Sequence, residues 1–339
     1  MPDRSQPLRR LGFLTIGLFD PADPGAGHES TLSIIELGEQ LGFDSAWLRH
    51  RHLQFGISSP IAVMAAATQR TSRIELGTAV TPLGWENPLR LAEDLATVDV
   101  LSGGRINPGV SVGTPMQWDT VKDALYPDTA EVEDFSKTRV ERLASYLAGD
   151  RVRELEGKQG VVEEFSSRVE PHSPGLRERL WYGAGSLGSA EWAGAHGLNL
   201  LSSSVIFPEA DEEPDFAAVQ ASQIRAYRAA GGTRASQGLV VIPTDSATAE
   251  QAEKYRAYVA ERLPRTATPQ GPRGMMFAPD LVGTSEEIAE QLWDHAGFRE
   301  VDEVAFALPF SFAHEDYVQI LTDIATRLGP LLGWKPAGA

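Results

Sequence analysis

A chain of 339 residues, 42% of them apolar, is long enough for one large globular domain or two ordinary ones. A formal charge of −17, with basic runs no longer than Arg9-Arg10 and Arg49 to Arg51, argues against nucleic acid and anionic membrane surfaces as partners. The absence of cysteine excludes disulfides, thiolate nucleophiles and Cys-ligated zinc.

No apolar run approaches the ~18 residues of a membrane span, and Met1-Pro2-Asp3-Arg4-Ser5-Gln6 lacks a secretory apolar stretch, so a soluble cytoplasmic protein is expected. Leu11 to Leu18 reads as strand one. Glu29 to Leu41 reads as a helix with Ile34, Leu37 and Leu41 on one face and a stop at Gly42. Asp44 to Leu48 is strand two, followed by a Pro-initiated helix from Pro60 to Arg70. Arg73 to Val80 is strand three, and Pro88 to Leu101 is a helix ended by Gly103-Gly104. Arg105 to Ser111 is strand four, with a helix from Asp134 to Ala148 after it. Strand five, Arg179 to Ala184, leads to a helix from Leu187 to His196, and strand six, Leu198 to Ser202, to a helix from Asp215 to Ala230. Strand seven is placed at Gly238 to Pro243, before a helix from Ala247 to Arg262. Strand eight, Glu303 to Leu308, precedes a closing helix from Glu315 to Leu328.

Strands that alternate with helices argue for a parallel sheet covered on both faces. A count of eight favours closure, so the expected fold is α/β, a single (β/α)8 TIM-barrel domain over residues 1–339. Three stretches exceed an ordinary connection: Val112 to Glu133 after strand four, Gly149 to Glu178 before strand five, and Leu263 to Val301 before strand eight. Within the second, Val161 to Phe165 and Arg168 to Glu170 suggest a hairpin. Within the third, Thr284-Ser285-Glu286-Glu287 begins an extra helix.

Active sites of such barrels lie where strand C-termini meet their loops. Those ends are rich here in Gly, Ser, Thr and aromatics and poor in carboxylates. Paired carboxylates for glycoside chemistry, a nucleophile elbow and a converging two-metal ligand set are missing from them. The ends suit a cofactor that brings its own chemistry. His50 and His52 share a side of an extended segment, yet no carboxylate accompanies them in sequence, so no metal is expected. Arg49-His50-Arg51-His52 reads as catalytic, phosphate-steering or a solvated loop, and Trp85 as a pocket wall. Trp47 and Trp192 read as core. Gly183-Ala184-Gly185-Ser186-Leu187-Gly188 spells Gly-x-Gly-x-x-Gly between strand five and its helix, but no Asp or Glu follows at a ribose-binding distance. Either the helix N-terminus, with Ser186 and Ser189, takes a phosphate, or the glycines only pack helix on sheet.

Gly77-Thr78-Ala79-Val80, Asn87-Pro88-Leu89-Arg90, Asp99-Val100-Leu101-Ser102-Gly103-Gly104-Arg105, Gly109-Val110-Ser111-Val112-Gly113 and Gly185-Ser186-Leu187-Gly188-Ser189-Ala190-Glu191-Trp192-Ala193 together resemble the bacterial luciferase-like flavin monooxygenase family in order and spacing. That resemblance implies a barrel that binds reduced FMN, or in one branch F420, at the strand C-termini. It implies a cis peptide between Ala79 and Val80 beneath the flavin ring, contacts from Thr78, Ser111 and Gly183, and a phosphate on Gly185, Ser186 and Ser189. It also implies O2 and a small organic substrate as reactants, a separate flavin reductase as partner, and a homodimer. An F420-dependent hydride transferase and a non-catalytic flavin-binding accessory protein are the alternatives. Luciferases carry Glu-His-His after strand two, with the first His catalytic. Here His50-Arg51-His52 stands there, so Arg51 occupies that position, and a permanently charged guanidinium suits an anion better than proton abstraction.

Overall fold

The computed structural model describes residues 7–209 and 215–337; the expectation for residues 1–6 lies outside them. Ten strands form one curled parallel sheet. Arg10–Thr15 pairs with Glu303–Ala307 on one side and Ser45–Leu48 on the other, and Ser45–Leu48 pairs with Glu75–Thr78. Strands three and four each come in two pieces. Glu75–Thr78 pairs with Ile106–Asn107, and Thr81–Pro82 pairs with Gly109–Ser111. The pairing then runs from Gly109–Ser111 through Trp181–Ala184, Asn199–Ser202 and Ala235–Gln237 back to Glu303–Ala307.

The sheet contains Ala235–Gln237 where the sequence reading places Gly238 to Pro243. The apolar run misled because Ser236 and Gln237, though polar, are fully buried, with Gln237 donating to Gln220 Oε1 at 2.5 Å. Val241–Pro243 instead leaves the main sheet and pairs in parallel with Leu281–Gly283. The first helix starts earlier than its periodicity suggests, at Pro24, where Asp23 Oδ1 accepts from Ala26 N at 3.0 Å. In the stretch before strand five the hairpin joins Gly157–Gln159 to Glu163–Phe165. Val161 and Val162 form its turn, 89% and 79% exposed, so this apolar pair marks a tip and not a buried strand. The stretch after strand four holds a helix with no strong sequence signal, Trp118–Leu125. The extra helix, Ser285–Asp294, does start at a Thr284/Glu287 capping box.

Two apolar clusters follow from the curl. The larger lies between sheet and helices. The smaller sits inside the curl, where Trp47, Trp181, Leu201 and Ala305 are packed by Leu14, Ala79 and Val80. Trp47 and Trp181 meet edge to face at 5.3 Å, and their indole N–H groups donate to Ser45 Oγ and Asn107 Oδ1. Each such indole removes about 150–250 Å2 from water, at most about 4–6 kcal/mol. Trp192, by contrast, is only half-buried, stacked on His196.

The Asp99 to Arg105 segment braces strands three and four. Asp99 is fully buried; one carboxylate oxygen accepts from Arg179 at 2.6 Å and Ser173 at 2.5 Å, the other from Ile106 N at 3.0 Å. Gly103 and Gly104 take φ of 72° and 88°, the left-handed turn that ends the helix. Arg105 then reaches back to Ile74 O at 2.7 Å and Thr71 O at 3.0 Å.

Candidate functional site

Strand three breaks at Ala79-Val80, whose peptide bond is cis. The neighbouring residues fit around the break. A side chain at Gly77 would begin 2.4 Å from the Trp47 ring, so only glycine leaves room for the indole. The Thr78 hydroxyl, buried, donates to Gly109 O at 2.7 Å and accepts from Gly109 N at 2.9 Å. This side chain therefore bridges the two interrupted strands, and its hydroxyl is engaged by backbone. Gly109 is forced as well, because a Cβ there would lie 2.0 Å from Thr78 O. Ala79 and Val80 themselves are half-buried at the C-terminal mouth of the sheet, above the tryptophan pair, and Ser111 is half-buried at the end of strand four.

Beside the break, the segment after strand two brings His50 and His52 together with Glu86, a residue that sequence reasoning missed. His50 is buried, and its Nε2 lies 2.9 Å from Ser58 O. The carbonyl requires a proton on Nε2, which leaves Nδ1 as the lone-pair nitrogen; that atom is buried without a partner. His52 stacks on Trp85 at 4.1 Å and 10°. Burial, and then the neighbouring His52, push His50 down to about 4, and burial lowers His52 as well. Burial therefore favours the neutral form of both rings. Glu86 is pushed up to about 7 by burial and then by the like charge of Asp94. Arg51 extends away from this group to Met116 Sδ at 3.2 Å, on the connection after strand four.

The turn carrying Trp85 and Glu86 is clamped from the same connection and from the helix Thr138–Ala148 after it. Arg139 donates to Leu83 O at 3.1 Å and Glu86 O at 2.9 Å, and the Tyr126 hydroxyl donates to Gly84 O at 3.0 Å. The only sequence signal for Glu86 was its place beside Trp85 in the turn after strand three.

At the end of strand five the helix Leu187–Ala195 starts at Ser186, whose side chain makes no capping bond. The first amides of a helix have no intrahelical acceptor and carry its positive dipole end. Gly188 faces open space, since a Cβ there would meet nothing within 4 Å. Ser189 is half-buried nearby. Gly185 O accepts from Phe207 N at 2.6 Å, and the exposed Arg273 guanidinium lies 4.2 Å over the Phe207 ring. That places a cation, also unforeseen, beside the glycine-serine turn. Arg273 belongs to the long stretch before strand eight, which is tethered here: Met276–Phe277 pairs with Val205–Ile206. Gly183 joins the two halves of the mouth, because a Cβ on it would come within 2.9 Å of Val80 Cγ1.

Comparison with known proteins bears on the fold and the family. The 3,6-diketocamphane monooxygenase oxygenating constituent of Pseudomonas putida, solved with FMN, superposes with a TM-score of 0.66 at 14% identity, covering 95% of this chain and 98% of that one. The 4-hydroxyprotoasukamycin monooxygenase of Streptomyces nodosus subsp. asukaensis is 37% identical over 94 residues, 27% of this chain and 25% of that protein. The F420-dependent glucose-6-phosphate dehydrogenase of Kribbella flavida is 31% identical over 177 residues, 49% of this chain and 50% of that protein. These curated relatives are thus matched over half their length or less. The sequence signature of luciferase-like monooxygenases matches residues 11–300, and the chain belongs to that family.

Proposed function

We propose that this chain is a flavin-dependent monooxygenase on a (β/α)8 barrel, using reduced FMN and O2 to oxygenate a small organic substrate. One observation carries the reading: a Cβ on Gly183 would lie 2.9 Å from Val80 Cγ1, so the start of the glycine-serine turn after strand five adjoins the broken end of strand three. A ring on Ala79-Val80 and a phosphate on Gly185, Ser186 and Ser189 can then belong to one molecule. Bound reduced flavin supplies the activation of O2 and the oxygen transfer. The protein supplies position and dryness. Val80, held from below by Trp47 and Trp181, presents an apolar floor. Ser111 borders it from strand four. Ser186, Ser189 and the first helix amides hold the anionic arm. His50, His52 and Trp85 wall the substrate side with neutral groups, and Arg51 offers a fixed positive charge to an anionic substrate or product. Excluding water there keeps reducing equivalents from being lost to peroxide. In this reading a separate flavin reductase provides reduced FMN, and the chain works as a cytoplasmic homodimer.

The test is titration of the purified protein with FMN, reduced FMN and F420, followed by O2 uptake with a generic flavin reductase and a substrate panel. Substrate-dependent O2 uptake without stoichiometric peroxide supports the proposal. A second reading, hydride transfer with F420, is favoured by the likeness to the Kribbella flavida dehydrogenase. Tight F420 binding with no FMN binding would establish it over the first. Bound reduced flavin giving neither peroxide nor product would mark a non-catalytic accessory protein.

A further inference from the structure

We propose that His50, His52 and Glu86 form a binding site for one divalent transition-metal ion. Each residue offers one ligand atom, and these atoms lie within 4.8 Å of one another, the one such group among the described residues. Metal–ligand bonds of about 2.0–2.2 Å require donors roughly 3–4 Å apart, so a side-chain adjustment of under about 1 Å closes the set. Sequence reasoning expected no metal because no carboxylate accompanied the two histidines; the turn after strand three brings one.

The tautomers suit a ligand role. Ser58 O holds the proton on His50 Nε2 at 2.9 Å, which directs the Nδ1 lone pair elsewhere. His50 is 6% exposed, and its Nδ1, like His52 Nε2, is buried with no hydrogen-bond partner. Two orphaned imidazole nitrogens side by side are costly unless something accepts their lone pairs. The supports are rigid. The Trp85 ring fixes the His52 plane, and Arg139 fixes the main chain at Glu86 through its carbonyl. Two nitrogens and a carboxylate select a transition ion over Ca2+ or Mg2+, which prefer all-oxygen shells. Three protein ligands leave coordination positions open to water or to a substrate oxygen. The proposal does not depend on which flavin the chain binds.

The experiment is equilibrium dialysis of the chelator-treated full chain against Zn2+ in excess Mg2+, with Co2+ absorption as a second readout. We expect one ion per chain, a Co2+ visible spectrum typical of low coordination number, and at least a tenfold loss of affinity in both His52→Ala and Glu86→Gln. Glu86→Asp, which keeps the donor type, should retain part of the binding, and His196→Gln, far from the trio, should retain all of it. Circular dichroism establishes that each variant folds. If Glu86→Gln does not fold, loss of the Co2+ spectrum in His52→Ala carries the test. Zn2+ binding that survives both substitutions, or that Mg2+ displaces, means an adventitious ion only and overturns the proposal, as does the absence of binding.

Discussion

Replacing Ser186 by Asp separates a phosphate site from a merely well-packed turn. Ser186 precedes the helix Leu187–Ala195 and makes no capping bond of its own. Asp is as good as Ser at that position of a helix, so the substitution should leave the free protein as stable as before, or more stable by a few tenths of a kcal/mol. Its effect on a bound phosphate is opposite. Unit charges 4 Å apart repel by about 1 kcal/mol in water and about 4 kcal/mol at the effective dielectric of a protein surface. A phosphate group carries roughly 1.5–2 negative charges, so the penalty is at least about 1.5 kcal/mol, a tenfold or greater loss of affinity. Ser186→Ala removes only one hydroxyl and should cost about 0.5–1.5 kcal/mol. Flavin fluorescence quenching and calorimetry with FMN, and the same titrations with F420, measure both. An Asp variant that folds normally and binds its cofactor within twofold of the parent would refute the strand-five assignment.

Asp99→Asn should destabilise the protein by about 3–5 kcal/mol in urea unfolding, because an amide cannot accept from Arg179, Ser173 and Ile106 together at a fully buried position. A loss under about 1 kcal/mol would show that the brace is dispensable. His295 is held down to about 4 by burial, while its Nδ1 accepts from Phe298 N at 3.2 Å. Its contribution to stability is complete above about pH 6.5 and declines as pH falls from there towards 4, since the unfolded chain then binds the extra proton. Between pH 6.5 and 5 that amounts to about 2 kcal/mol, which His295→Gln should remove from the difference between urea curves at those two pH values; identical pH dependence in the variant would contradict the assignment. Gly109→Ala should lower thermal stability by the equivalent of roughly 1–3 kcal/mol or more, because the new methyl meets Thr78 O at 2.0 Å and backbone cannot rotate aside. A melting temperature equal to the parent's would show that strands three and four are less tightly joined than Thr78 indicates.

Much of the fold was legible because its signals are local. Short apolar runs bounded by glycine and proline gave most strands, and capping residues such as Thr284 gave helix starts. Strand seven was misplaced because Ser236 and Gln237 are buried polar residues, Gln237 donating to Gln220 far away in the sequence, a condition that no period can reveal. The hairpin was misplaced because Val161 and Val162 are exposed apolar residues, which a burial-based reading takes for strand.

The site divides in the same way. One backbone feature was readable from residues adjacent in the chain, the glycine-serine turn after strand five; the cis bond at Ala79-Val80 was implied by the family resemblance, not by local residue type. The chemistry that depends on neighbours across the sheet was not. Thr78 was expected at the cofactor, whereas its hydroxyl is taken up by Gly109. Glu86 and Arg273 drew no attention because one lies in a turn and the other in a long connection, and only the packing of those segments sets Glu86 beside the unpartnered ring nitrogens of two histidines and Arg273 over Phe207. Local residue type decides which backbone conformations a chain can adopt. Which side chains share a pocket, and so which protons, charges and ions that pocket can hold, is decided only when strands far apart in sequence are brought together by burying Trp47 and Trp181 inside one curled sheet.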